Sequence, residues 1–434
     1  MTQALSRRQG SYRSDIDGLR AIAVLLVIFY HLGAVFLPTG YVGVDIFFVI
    51  SGFLITQNIM KEIAIGRFSF KGFYLKRMRR IYPALLCVLG FTTLAALFVM
   101  VAGTRQLLTY FHTLISALLG ASNLFLKYYL HANYFKQSAG GYMPLMHTWS
   151  LGVEEQFYLF WPLFLWLVCS KLSTLKQSIT IIIIASASLY VFVHNVHGVY
   201  DYYNPIPRAY ELMIGAFLTI NRAWIEKIGA FNRYINDVLS LIGFALIVCS
   251  SFALIYTGLV GFNTFLACIG SAIVICSGFN EGLVNKLLAI KPLVFTGLIS
   301  YSLYLWHWPI IYFLEVSAVN IDFLTGLGIL VLTFILSYLT WLLVEQRFRF
   351  QWKFGFLKTI ICFIIIPVVL VSVLVLMIRQ HPQWGYNSVL SNRVKIISGN
   401  YYGPYKGKKC IDSPLLLPAA PNACAFGALK SKHY

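Results

Sequence analysis

Mostly apolar runs of 16 to 22 residues recur from one end of this 434-residue chain to the other. They fall near 18–37, 41–60, 82–102, 150–169, 178–194, 206–221, 237–257, 262–279, 294–315, 323–344 and 357–378. About 20 such residues, wound into a helix at about 1.5 Å each, cross the roughly 30 Å of hydrocarbon in a bilayer. Backbone polar groups inside that hydrocarbon have to be satisfied internally, which a helix does by itself. The pattern therefore predicts an all-α polytopic membrane protein, a bundle of about eleven transmembrane helices. Composition agrees, because 59% hydrophobic and 11% charged residues leave too little polar surface to cover a soluble globule.

Lysine and arginine set the orientation, since short basic loops stay on the cytoplasmic side. With the N-terminus inside, the inner segments hold 22 of the 34 basic residues, and the outer loops before residue 379 hold only Arg105, Lys127 and Lys136, with Arg208 at an outer edge. An odd number of spans then puts the C-terminus outside. The net charge of +19 is mostly this topological signal, and no basic-aromatic module for nucleic acid accompanies it. Residues 1–17 are polar and the run beyond them has anchor length, so the first span is expected to be retained. The stretch 103–149 contains a moderately apolar segment, LLTYFHTLISALLGASNLFL. A crossing there would invert the charge rule for every later loop, so a re-entrant or interfacial helix is expected instead.

Six cysteines lie in or at the edge of apolar runs, where the residue is usually a small hydrophobe. Cys410 and Cys424 stand apart in a tail rich in Gly, Pro, Asn and Lys, and their setting suits a disulfide in an oxidising compartment.

Ionisable residues change the picture more than composition does. An ionised group in hydrocarbon costs about 2.5–3.5 kcal/mol on insertion scales and persists chiefly where it lines a cavity or performs chemistry. Counting depth along the runs sorts these residues into two layers. The inner layer holds Arg20, the run FYLKRMRRIYP with Lys76, Arg77, Arg79 and Arg80, and Glu345 with Arg347 and Arg349. The outer layer holds His31, Asp45, His147, Glu154, Glu155, Arg208, Glu211 and His307. His31 and Asp45 are expected to meet across the first turn, a carboxylate orienting an imidazole for use as a base or acyl-accepting nitrogen. Eleven residues separate Arg20 from His31, about 16 Å along a helix, which suits one elongated ligand with a charged and a reactive end.

Each residue also has a plainer reading. His31 is a structural hydrogen-bonding histidine, the basic run an interfacial anchor, and His307 part of an aromatic belt. Glu154 and Glu155 favour a helix N-terminus, while Arg208 and Glu211, at i and i+3, neutralise each other. The chain has no GxxxxGK[ST], HExxH, CxxC or G-x-S-x-G pattern, so neither a nucleotide-hydrolysing motor nor a metal centre is expected.

Seven segments in order carry a resemblance: DGLRAIAVLLVIFYH, GYVGVDIFFVISGFLIT, FYLKRMRRIYP, HTWSLGVEEQFYLFWPL, RAYELMIGA, YSLYLWHWP and VEQRFR. Together they resemble the acyltransferase-3 family of membrane acyltransferases, which includes O-acetyltransferases of lipopolysaccharide O-antigen and of peptidoglycan. The resemblance implies a ten-helix core over residues 1–350, an additional transmembrane helix over 351–378, and an extracytoplasmic linker or start of an SGNH-type domain over 379–434. It implies a multi-pass protein of the bacterial cytoplasmic (inner) membrane that moves acetyl from cytoplasmic acetyl-CoA to a cell-surface glycan outside. Arg20 and His31 match the family's essential arginine and histidine. Lys76, Arg77 and Arg80 match its basic phosphate-binding motif, with lysine replacing the first arginine and so losing bidentate geometry. Glu345 becomes a partner for the basic layer. No GDSH-like segment occurs before Tyr434, so the reading expects either a truncated product or a membrane half served by a separate SGNH-type partner. The competing class is a proton-coupled transporter of a polar or anionic solute, which also carries intramembrane acids and histidines.

Overall fold

The computed structural model describes residues 12–34, 37–100, 105–131, 143–195, 202–229, 233–252, 260–317 and 319–380. Among the described residues the regular structure is entirely helical. In chain order the helices are α1 Ser14–His31, α2 Gly43–Ala64, α3 Phe70–Val99, α4 Arg105–Leu118, α5 Ser122–Tyr128, α6 Trp149–Lys171, α7 Thr174–Asn195, α8 Pro205–Ile220 and α9 Arg222–Gly229. They continue with α10 Arg233–Ser251, α11 Val260–Ser277, α12 Leu283–Leu288, α13 Lys291–Leu298, α14 Ser300–Val316, α15 Phe323–Thr340, α16 Gln346–Gln351, α17 Phe356–Ile360 and α18 Ile366–Gln380. A π turn at Trp341–Glu345 joins α15 to α16, and another at Ile361–Ile365 joins α17 to α18. In its described part, every one of the apolar runs falls mainly on one or two helices of this series. The Cys410–Cys424 pair lies outside the described residues.

Seven helical stretches are long and apolar enough to cross a membrane: Gly40–Ala64, Phe70–Val99, Thr174–Val193, Arg233–Ser251, Gly261–Asn280, Phe323–Gln351 and Phe356–Gln380. The expected spans outside this set are α1, α6, α8 and α14. Helices α8 and α14 have only 16 and 17 residues, α1 carries Asp15, Asp17 and Arg20, and α6 carries Glu154 and Glu155. Their polar residues face protein: α14 packs on α1, Ser150 of α6 shares a hydrogen bond with Tyr304 of α14, and α8 packs on α2. By contrast, only 22% and 11% of the apolar windows in Phe323–Gln351 and Phe356–Gln380 are buried, against 72% in Gly40–Ala64, so the last two long helices form the lipid-facing rim and α2 the centre.

Helix α2 packs on α1, α6, α8 and α11, and its contact with α8 is the most extensive. Small residues permit that approach. A Cβ on Gly52 would collide with the Leu212 carbonyl, and one on Gly215 with the Val49 carbonyl. Without an aqueous driving force inside a bilayer, such close backbone contact is what holds two helices together. Helix α8 has a firm start as well: the Asn204 side chain accepts from the Ile206 amide at 3.2 Å, and Pro205 and Pro207 occupy its first turn.

The described part of the long loop forms a short helical hairpin packed against α3 and α6, and it is not among the membrane-length stretches. Helix α4 has 14 residues, about 21 Å, too short for a crossing. It ends where Tyr82 Oη donates to the Leu118 carbonyl at 3.1 Å, well inside α3. Gly120 then turns the chain with φ +65°, and its carbonyl accepts from Gln156 Nε2 at 3.1 Å. Helix α5 returns beside α6, and Ser122 Oγ donates to the Thr148 carbonyl at 2.7 Å.

Gly52→Ala and Gly215→Ala are each expected to destabilise the fold by about 1–3 kcal/mol through overpacking at a backbone contact. Gly90→Ala, which meets open space on α3, is expected to be neutral or to stabilise slightly. Thermal unfolding of the three variants in lipid nanodiscs measures the difference.

Candidate active site

Two helices bring three charges together in the centre of the bundle. Arg208 of α8 donates through Nη1 to Asp45 Oδ1 in an ion pair, and through the same nitrogen to Glu211 Oε1 at 2.9 Å. All three side chains have 0% exposure. The guanidinium also lies over the Tyr202 ring, 3.9 Å from its centroid, with Trp149 at 5.6 Å. None of the three charged groups lines the cavities described next. Arg208 and Glu211 are expected in an outer cavity; the structure seals them instead, with the guanidinium flanked by two acids and covered by aromatic rings.

Three chambers follow one another along the bundle. The first opens beside the start of α3 and has a volume of about 330 Å³; Lys76, Arg77, Arg79, Arg80 and Arg349 line it with Glu62 and Phe350. Lys76 Nζ bonds Glu62 Oε1 at 2.5 Å and is 69% exposed, so it sits at the rim. The second chamber, about 110 Å³, is lined by Arg20, Arg77, Arg80, Ser51, Glu154, Glu155, Tyr158 and Tyr304. Arg77 and Arg80 belong to both. The third, about 250 Å³, is lined by Tyr30, His31, His147, Trp149, Tyr304, Trp308 and Glu315. It adjoins the second across Val44 and Tyr304, which line both.

In the second chamber Arg20 Nη1 is steered by Asp17 Oδ1 at 2.9 Å, one turn below on α1. Arg77 is sandwiched over the rings of Phe73 and Tyr158, at 5.6 and 5.4 Å. Glu154 accepts from Ser51 Oγ at 2.6 Å and from Tyr158 Oη at 3.1 Å. Glu345, at the end of the π turn, accepts from Ser302 Oγ at 2.5 Å and lies within electrostatic reach of Arg80, Arg20 and Arg349. Glu154 and Glu155 were placed with the outer layer. The structure puts them beside the arginines, because α6 descends from Trp149 and carries them a full turn and more below His147.

The third chamber gathers histidines. His31, the last residue of α1, stacks on His307 of α14 with ring centroids 5.2 Å apart, and His31 Nδ1 lies 3.1 Å from His307 Nε2. His147 meets His307 edge to face at 5.8 Å. Pro309 removes the amide that would bond the Leu305 carbonyl inside α14, and His147 approaches that carbonyl. Neither His147 ring nitrogen reaches normal hydrogen-bond geometry with a described residue. Trp308 is pinned by donating to the Met143 carbonyl at 2.8 Å and packs edge-on against His31 at 4.8 Å. The expected His31–Asp45 pair does not form. Asp45 is held by Arg208 on the α8 side of α2, whereas His31 meets α14.

Sequence reading missed Ser51, Tyr158, Tyr304, Trp308 and Glu315 as lining residues. Ser51 and Tyr304 interrupt apolar runs and gave a usable signal; Glu315 looks like an ordinary acid at the end of a span. Among the described residues no group of three or more His, Cys, Asp or Glu side chains has metal-holding geometry.

Arg208→Leu leaves two buried carboxylates without their cation and is expected to cost about 3–5 kcal/mol. The folded yield in detergent and the unfolding temperature should fall sharply. Lys76→Gln, at an exposed rim pair worth at most about 1 kcal/mol, should leave both unchanged.

Comparison with known proteins agrees with this geometry. The family model described as an acyltransferase domain matches residues 13–342. A candidate O-acetyltransferase of Staphylococcus aureus (strain MRSA252) is 30% identical over 405 residues, covering 86% of this chain and 64% of its own length. The O-acetyltransferase OatA of Staphylococcus aureus (strain NCTC 8325 / PS 47) is 32% identical over 362 residues, covering 78% of this chain and 56% of its own. The chain thus spans under two thirds of the length of these curated relatives. No solved structure matches it. A multi-pass helical bundle with an arginine chamber adjoining a histidine chamber, matched over most of its length by the acyltransferase domain, belongs to the acyltransferase-3 family.

Proposed function

We propose that this chain transfers an acetyl group across the membrane, from cytoplasmic acetyl-CoA to a hydroxyl of a cell-surface glycan such as lipopolysaccharide O-antigen or a similar polysaccharide. The observation that carries the reading is the adjacency of the chambers. Arg77 and Arg80 line the first two, and Val44 and Tyr304 line the last two, so the cations and the histidines share one path.

Charge and size assign the ends of the donor. The first chamber combines Lys76, Arg77, Arg79, Arg80 and Arg349, a set that suits the phosphates of coenzyme A, and charge-assisted bonds of this kind are roughly twice as strong as neutral ones. The second has about a third of that volume and suits an unbranched arm rather than a nucleotide head. A thioester carried past Arg20 then comes to His31, about 16 Å farther along α1. There His31 supplies the nitrogen that takes the acceptor proton or the acetyl group itself. Asp45 enters as a bundle anchor and not as the partner of His31.

The third chamber suits a sugar. Tyr30, Trp149, Tyr304 and Trp308 offer aromatic faces, His147 has ring nitrogens without a normal hydrogen bond, and Glu315 stands two helical turns beyond His307. Aromatic rings with a few fixed polar groups are how proteins hold an oriented polar ligand. By the charge rule, the basic run of α3 supports a first chamber facing the cytoplasm at the bacterial inner membrane, with the C-terminal tail outside. An SGNH-type domain or separate protein that receives the acetyl group there completes the path.

In nanodiscs with radiolabelled acetyl-CoA, His31→Ala should retain coenzyme A binding and lose turnover. Arg77→Gln with Arg80→Gln should weaken binding by at least about tenfold, the loss expected for one or two charge-assisted bonds. Full turnover in His31→Ala would overturn the mechanism, and wild-type protein that binds no coenzyme A would favour a solute carrier.

A further inference from the structure

We infer that His307 is a positioning residue that fixes the tautomer of His31 and leaves the working lone pair of His31 on Nε2. The inference rests on the acyl-transfer reading and adds to it the identity of the nitrogen and of the group that controls it.

His307 Nδ1 lies 3.3 Å from the Leu303 carbonyl oxygen, one turn below on α14. A carbonyl only accepts, so Nδ1 of His307 carries the proton. Neutral His307 then has its lone pair on Nε2, the atom that faces His31 Nδ1 at 3.1 Å. Two lone pairs cannot face each other at that distance, so His31 Nδ1 carries a proton and donates it. The remaining nitrogen of His31, Nε2, is the basic one. His307 is held in this role: it is 0% exposed, its ring contacts Tyr304 at 5.4 Å, and the stack on His31 is 21° from parallel.

A carboxylate performs the same service for the histidine of a Ser-His-Asp triad, where loss of the correct tautomer lowers kcat by about 10⁴. An imidazole is neutral, so it orients His31 without placing another buried anion beside a thioester. In the base form of the reaction, His31 Nε2 takes the proton of the acceptor hydroxyl while the hydroxyl oxygen bonds to the thioester carbon. The C–S bond breaks, sulfur leaves with the electron pair, and the thiolate takes the proton from Nε2. The ring returns to its starting tautomer. The acyl-carrier form requires a lone pair on the same nitrogen.

The test compares His307→Gln, His307→Asn and His307→Phe in the full chain, in nanodiscs, by coenzyme A binding and by thiol release from acetyl-CoA. Glutamine reaches the Nε2 position with an accepting oxygen; asparagine stops near the Nδ1 position; phenylalanine keeps the volume and accepts nothing. His307→Gln is expected within about tenfold of wild-type kcat, with the other two lowered by about 10²-fold or more and KM for acetyl-CoA unchanged in all. Equal kcat in the Gln and Phe variants, high or low, overturns the inference. Loss of coenzyme A binding in all three does so as well, by making His307 a packing residue. Should the Phe variant alone fail to bind, the Gln and Asn variants decide the matter. Wild-type protein without thiol release counts instead against the acyl-transfer reading.

Discussion

A guanidinium with no access to water has to be matched by protein, and Arg208 is matched by Asp45 of α2 and Glu211 of its own helix. That requirement organises the bundle. An unpaired charge at such a place costs several kcal/mol, so α2 and α8 cannot drift apart without exposing it. Their glycine contact, at Gly52 and Gly215, brings the backbones close enough for the ion pair to form. Once α2 is fixed against α8, its opposite flank is free to support α1 and α6, and these carry Arg20, His31, Glu154 and Glu155. The sealed charges hold the scaffold, and a separate set of charges lines the chambers.

The sequence made the helices legible because apolar runs of membrane length have few alternative structures. It also made the inner layer legible: Arg20, Arg77 and Arg80 come to one chamber as their depths require. Depth can be counted from a turn, but direction around a helix depends on the neighbours. Asp45 was expected beside His31 on depth alone. It points to α8 while His31 points to α14, and no residue count discloses that α1 lies against α14. The misplacement of Glu154 and Glu155 has a related cause. Their helix starts at Trp149, after a 3-10 turn that already contains His147, so a few residues of sequence become a step from one chamber to the next.

Four helices fall short of a membrane span in length or composition, and three of them, α1, α6 and α14, line the chambers. Their polar groups face protein, and those of the fourth, α8, face Asp45 of α2. Prolines act in the same sense. Pro309 frees the Leu305 carbonyl inside α14, and a free carbonyl at that depth is tolerated only where a cavity or another side chain meets it. The hairpin pair α4 and α5 follows this rule, with its turning point at Gly120 packed against Glu155 and bonded to Gln156. Hydropathy alone identifies the rim of this protein better than its centre.

Separation of charge from chemistry gives the arrangement its physical sense. Phosphate binding needs several cations, and cations close to an imidazole oppose the positive charge that it gains when it takes a proton or an acyl group. About 16 Å of α1 between Arg20 and His31 keeps the two demands apart while leaving them on one rigid element. An elongated donor fits such a site because its anionic end and its reactive end are themselves far apart. On the proposed reading the same economy of charge extends to His31: Arg208, Asp45 and Glu211 compensate one another, and the nitrogen proposed to react is oriented by the His307 imidazole, itself beside the Leu303 carbonyl.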